Sequence, residues 1–324
     1  MTGDLDFLNR QIDPTIVGFR KRSTNSYRLV GYLMVAVAST LFGLNGNLSR
    51  LLFDDGVSPV TLVEFRMLIG AICLLGVLVI GQRKGLKVPR GNWGWILAFG
   101  LSLAMVTFTY FMAISRLPLA IALVIQFTAP AWMVLAVATW RRRLPSAYVL
   151  AALGLTFGGV ILLTGLWREG LNRLDAIGLL YCLLAVIAYI VYLLLGRQVG
   201  KSLPSLTATA YGALVASIFW FSVQPPWAVP ANTWTPYHLI LILLVGIIGM
   251  AIPFWLVLGS LRRIDPTRVG IASMLELVAG GVIAYFWLGQ HLDWLQIMGC
   301  VLVMGGITIL QSEKTEIAEV KVIE

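Results

Sequence analysis

Residues 146–166 read SAYVLAALGLTFGGVILLTGL, a stretch of 21 residues without one Asp, Glu, Lys or Arg. A bilayer core of about 30 Å is crossed by about 20 apolar residues in a helix, so this stretch predicts a membrane span. Its second half has a near copy. Phe157-Gly158-Gly159-Val160-Ile161-Leu162 resembles Met304-Gly305-Gly306-Ile307-Thr308-Ile309, 147 residues further on. The stretch therefore raises both questions that decide the fold: how many spans there are, and whether they repeat.

The rest of the chain has the same character. Of 324 residues 59% are apolar and only 12% charged, with a mean hydropathy of +0.87. Soluble domains carry about 25% charged residues, so most of this chain must face lipid. The net charge of +9 comes from short basic runs between apolar stretches. That placement suits control of topology and not a nucleic-acid-binding face. Cys73, Cys182 and Cys300 lie inside apolar stretches and read as small buried residues. The polar opening, residues 1–27, does not read as a cleavable signal peptide.

A 20-residue span length gives ten candidate spans: 29–48, 59–80, 94–114, 118–140, 146–166, 175–195, 205–223, 237–259, 267–288 and 294–311. Turn residues join them, as at Asp54-Asp55-Gly56, Arg116-Leu117-Pro118, Leu203-Pro204 and Asp265-Pro266. Tryptophans gather at span ends, as headgroup-level anchors do. With the N-terminus inside, 19 Lys and Arg fall on the cytoplasmic side and 4 on the other, with Arg66 inside a span. This positive-inside split predicts that both termini are cytoplasmic.

Ten spans divide into two fives. Arg116-Leu117-Pro118 matches Ile264-Asp265-Pro266, 148 residues on, and the loop charges reverse between the halves. An odd number of spans per unit turns the second copy upside down. The expected fold is an all-α integral membrane protein of ten transmembrane helices in two inverted five-helix repeats. Residues 1–27 form a cytoplasmic tail, 28–167 the first repeat, 174–311 the second, and 312–324 a cytoplasmic C-terminal tail. In such architectures the substrate site lies near the midplane where the repeats meet.

These features resemble the EamA-type transporters of the drug/metabolite transporter superfamily over nearly all of residues 29–311. The resemblance rests on Leu41-Phe42-Gly43-Leu44-Asn45-Gly46, Ser58-Pro59 with Arg66, Thr128-Ala129-Pro130, and Leu275-Glu276 followed by Trp287-Leu288-Gly289. Leu277 stands where relatives often have Pro, Gln290 where they often have Glu, and Gln126 where they often have an acid. The resemblance implies a secondary transporter in the inner cell membrane, exporting small metabolites such as amino acids. A drug or nucleotide-sugar transporter of the same superfamily is the near alternative. A polytopic enzyme acting on lipid is the alternative from another class. The expected partners are a small-molecule substrate and the lipid bilayer, with protons as the candidate coupling ion and a homodimer as the candidate assembly; nucleic acid is not among them.

Charged residues cost about 2.5–3.5 kcal/mol each at the centre of a span, and Glu64, Arg66 and Glu276 carry that cost here. Glu64 and Arg66 lie towards the outer end of the second span. Glu64 reads as interfacial and structural. Arg66 reads either as a snorkelling or carbonyl-capping residue or as a gate that contacts an anion. Glu276 sits at the middle of the ninth span with no evident basic partner. It should therefore face a watery cavity, or be protonated and bonded between helices. Gln126, at matching depth in the fourth span, joins Asn45 and Asn47 as amides that should face inward. Tyr110, Tyr189 and Trp255 are candidate aromatic walls, and Pro130 a candidate kink beside the cavity. Gly154 and Gly158 form a GxxxG, read as close helix packing. His238 and His291 are isolated and no phosphate-cradling glycine loop occurs, so neither an enzyme nor a bound cofactor is expected.

Overall fold

The computed structural model describes residues 14–81, 83–117, 122, 125–129, 132–133, 146–164, 175–288 and 293–312. Among them all regular structure is helical. The helices are α1 (Pro14–Asp54), α2 (Pro59–Gly81), α3 (Trp93–Arg116), α4 (Ala147–Thr164), α5 (Ala176–Ser202), α6 (Ser205–Val223), α7 (Pro236–Leu261), α8 (Pro266–Ser273), α9 (Leu275–Leu288) and α10 (Trp294–Ser312). Most of the expected fourth span, including Pro130, lies outside the described residues.

Six of the described helices are long and apolar enough to cross a membrane: Ser26–Asp54, α2, Arg90–Arg116, α5, α6 and α7. Large apolar side chains stand out along their flanks, with Ile72, Ile187 and Ile218 each at least 60% exposed. In water such a surface would aggregate; in lipid it is the surface a spanning helix presents.

Local sequence places the ends. Asp54-Asp55-Gly56 closes α1 with the two crossed bonds of a Schellman turn, Gly56 N–H to Phe53 O at 3.0 Å and Val57 N–H to Leu52 O at 2.9 Å. Gly56 takes φ +86° there, a conformation that costs only glycine little. Thr235 caps α7 through the His238 amide, with Pro236 in the first turn. Arg50 near the end of α1 donates to the carbonyl of Ile114 near the end of α3, at 3.1 Å. Arg197 near the end of α5 donates to the carbonyl of Leu261, the last residue of α7, also at 3.1 Å. Both donor and acceptor have moved by 147 residues, so each half closes its own helices with the same arginine clasp.

Arg50 and Arg116, two of the basic residues that the charge count expects on the sparsely charged side, both have structural partners. Arg50 also pairs with Asp54, and Arg116 pairs with Asp175 at 3.1 Å. The Asp175 carboxylate in turn accepts the Ile177 amide and caps α5. The hydrogen bond from Arg116, then that from Ile177, holds this carboxyl below its ordinary range. The cap is therefore present at neutral pH and is lost only as acid titrates the carboxylate.

The repeated glycines pack reciprocally. A Cβ on Gly159 of α4 would meet the Gly299 carbonyl at 2.6 Å and the Val303 amide at 2.8 Å. A Cβ on Gly306 of α10 would meet the Ala152 carbonyl at 2.8 Å and the Thr156 side chain. Ala152 and Thr156 are the offset partners of Gly299 and Val303, so α4 and α10 cross about an axis that exchanges the halves. The GxxxG glycines make no such contact with the described residues. Among the described residues, a Cβ on Gly154 or Gly158 meets nothing within 4 Å. Successive helix positions turn by about 100°, which carries Gly158 off the contact face that Gly159 occupies. The larger pairings are also closed under the exchange: α3 packs on α5 and α1 on α7, while α2 packs on α6.

Two expectations of continuous helix are corrected. The ninth span breaks into α8 and α9 at Met274. The eighth, α7, contains a π-helical turn at Ile247–Ala251. The first lies between two cavity-lining residues, Ser273 and Glu276.

Candidate functional site

A cavity of about 70 Å³ opens where α1, α2, α3, α5, α7, residues 126–127 and the α8–α9 break converge. One water needs about 10–15 Å³ by such a measure, so there is room for a small solute. Its walls use equivalent positions of the two halves. Phe42 and Tyr189, Asn45 and Tyr192, Thr107 and Phe254, Tyr110 and Val257, and Gln126 and Ser273 all line it, each pair 147 residues apart. Val106, Phe127, Arg66 and Glu276 complete the lining. At the same offset Arg66 corresponds to Ala213 and Glu276 to Ala129. The charges therefore sit where the halves have diverged.

Arg66 is held by a feature the sequence already contains. Pro253 has no N–H, so the carbonyl four residues back, that of Gly249, loses its helical partner, and the ring displaces it. The π-helical turn Ile247–Ala251 accommodates the displacement. Arg66 fills the vacancy, donating from a terminal nitrogen to Gly249 O at 2.6 Å. The guanidinium also lies 4.8 Å from the ring centre of Phe111 and 6.0 Å from that of Phe254, within cation–π range. The expectation that Arg66 snorkels to the headgroups is corrected, since only 2% of the residue is exposed. Its position eight residues into α2 puts its Cα about 10 Å along that helix, and the long side chain reaches the cavity from there.

Glu276 owes its position to the helix break. The Met274 amide bonds to Ile271 O and the Leu277 amide to Met274 O, both at 3.1 Å. These short-range bonds end α8 and restart the chain as α9, with Glu276 in its first turn. A carboxylate there faces the positive end of the half-helix dipole. The facing segment tightens in the same way. Thr128 donates from both its amide and its hydroxyl to Ile125 O, at 3.0 and 2.7 Å, which sets Gln126 at the rim. Glycines bring the walls together. Gly43 crosses the backbone of Glu276 and Gly280, and any side chain on Gly249 would run into the Asn45 amide.

Glu276 is not without a cationic neighbour, contrary to expectation. Arg66 lines the same cavity. Among the described residues neither forms an ion pair. Several polar atoms of the lining are buried without a hydrogen-bond partner among the described residues: Arg66 Nε, Asn45 Oδ1, Gln126 Oε1 and the Tyr192 hydroxyl.

Of the residues singled out from sequence, Glu276, Gln126, Asn45, Tyr110, Tyr189 and Arg66 line this cavity. Asn47 does not, and donates instead to Gly43 O in its own helix at 3.1 Å. Glu64 is fully buried on α2, off the cavity, and its carboxylate has no partner among the described residues. Glu64 lies in the second turn of α2, which packs against α6 and α7. Trp255 is 37% exposed and outside the lining. Sequence reasoning missed Phe42, Thr107, Tyr192 and Phe254. The repeat offset, applied to Asn45 and Tyr189, would have found Tyr192 and Phe42.

Comparison with known proteins places this geometry. The sequence profile of the EamA-like transporter family matches residues 29–165 and again 176–311. The threonine/homoserine exporter RhtA of Salmonella typhimurium strain LT2 is 28% identical over 296 residues, covering 90% of this chain and 94% of its own. The S-adenosylmethionine uptake transporter of Rickettsia bellii is 27% identical over 261 residues, covering 77% of this chain and 83% of its own. A solved crystal structure superposes with a TM-score of 0.71 over 88% of this chain and 96% of that one. Its 19% identity carries the fold alone.

Proposed function

This chain belongs to the EamA-like transporter family, a multi-pass membrane transporter and not an enzyme, and on that premise we propose that it is a secondary active exporter of small polar metabolites, amino acids foremost. Transport proceeds by alternating access, two inverted five-span halves rocking about the shared cavity. The observation that carries this reading is that cavity. It is lined at equivalent positions of both halves and holds a buried Arg66 and a Glu276, neither in an ion pair among the described residues. Irregular backbone at Met274 and Ile247–Ala251 is the kind a membrane protein tolerates where it lines a site. Export is supported by the greater coverage of the exporter relative, 90% of this chain against 77% for the uptake relative. Reconstitution tests it. Proteoliposomes loaded with radiolabelled L-threonine should release it faster than empty-vesicle controls, and an inward proton gradient should accelerate release. Equal rates for all twenty amino acids with and without protein would sink the reading.

The proposed topology places both termini in the cytoplasm of an inner-membrane protein. Reporter fusions after residues 88, 142 and 200 should read cytoplasmic, and those after 171 and 230 external. A cytoplasmic signal at 230 would rule out ten inverted spans.

A further inference from the structure

We infer that the cavity is a clamp for a zwitterion, binding the carboxylate of an α-amino acid on Arg66 and its primary ammonium on Asn45, Gln126 and Glu276. The inference rests on the transporter reading and adds which atoms recognise which group. It follows from the hydrogen-bonding capacity left unfilled. The Arg66 guanidinium spends one terminal nitrogen on Gly249 O and is fixed by Phe111 and Phe254. Its Nε–H has no partner among the described residues. A pinned guanidinium with an unpartnered N–H suits a carboxylate, whose oxygens accept charge-assisted hydrogen bonds.

The other unfilled atoms are acceptors. Asn45 Oδ1 and Gln126 Oε1 are buried without a donor, and ionised Glu276 accepts only. A primary ammonium has three N–H donors and no acceptor, so it can satisfy all three. Neither charge alone would serve. A simple anion would leave the amide oxygens unfilled and face Glu276, whereas a simple amine would leave Arg66 Nε unfilled and face its charge. Leaving such groups unpaired in a site built for them is what discriminates between ligands. Phe42, Phe127 and Val257 remain to receive a compact side chain.

The test is binding to the full-length protein in nanodiscs. Each of the twenty L-amino acids is measured by thermal shift and calorimetry, beside its methyl ester and its N-acetyl derivative. At least one compact amino acid should bind. Its ester and its N-acetyl form should each bind about 10- to 100-fold more weakly, the worth of one charge-assisted contact. Arg66→Gln should lower affinity for the amino acid by a similar factor while leaving affinity for the ester unchanged. Asn45→Ala should do the same for the amino acid against its N-acetyl form. The derivative series needs no variant, so a misfolded Arg66→Gln does not spoil the test. Binding of the ester or the N-acetyl form as tight as that of the parent would overturn the clamp. So would flux of another solute class through a protein that binds no amino acid, which would leave the transporter reading intact. Binding without any flux would do the reverse.

Discussion

In proteoliposomes with an imposed pH gradient, Glu276→Gln is expected to lose gradient-driven transport, falling to the passive level, while membrane yield stays near wild type. Gln matches the shape of the protonated acid and keeps a carbonyl oxygen to accept from an ammonium, but it cannot take up or release a proton. No ion pair is broken by the change, because Glu276 and Arg66 form none among the described residues. The large penalty for orphaning one partner of a buried pair therefore does not arise, and stability should move by less than about 1 kcal/mol. The rationale for coupling is exclusion. One carboxylate can hold a proton or an ammonium group, so each crossing exchanges one for the other. Exchange of substrate for substrate should persist in the variant, since that half-reaction needs no proton. Wild-type gradient-driven flux by Glu276→Gln, with yield lost in Glu276→Leu, would instead make the residue a packing element.

Gly159→Leu should have the largest effect on folding. Its first added carbon meets backbone, not a flexible side chain: Gly299 O at 2.6 Å and Val303 N at 2.8 Å. Backbone cannot step aside without moving α10, so the helices must separate. Overpacking of this kind costs about 1–3 kcal/mol or more, and in lipid, close packing is a main source of helix association. Folded yield by size-exclusion chromatography in detergent should drop sharply. Gly306→Leu, its counterpart, should behave alike. Gly158→Leu, one position away, meets nothing among the described residues and should leave yield near wild type. Equal tolerance at 158 and 159 would contradict the reciprocal packing.

Much of the architecture was legible because lipid makes strict demands of a sequence. Spans need length and apolarity, loops need turn residues, and the buried charges stand out by their cost. The repeat was visible at Gly159 and Gly306 and at Pro118 and Pro266, since tight packing and helix starts tolerate few residue types. The identity of the packing glycine was not legible. Gly154, Gly158 and Gly159 look alike in sequence, and only the neighbouring helix decides which of them is crowded. The arginine clasp was equally hidden, because Arg50 and Arg197 read as loop charges and their acceptors lie 64 residues away.

By itself, then, the sequence determined that this is a polytopic helical membrane protein, that its halves are related, and that Glu276, Gln126 and Asn45 are polar groups needing an inward environment. Each is a one-dimensional property, set by spacing, composition or the cost of burial. What only the tertiary structure decided is that Arg66 joins them. Pro253 on α7 frees the Gly249 carbonyl, and a side chain 183 residues earlier donates to it. A vacated hydrogen bond fixes what must be satisfied, but the donor is whichever group the packing of α2 against α7 brings within reach.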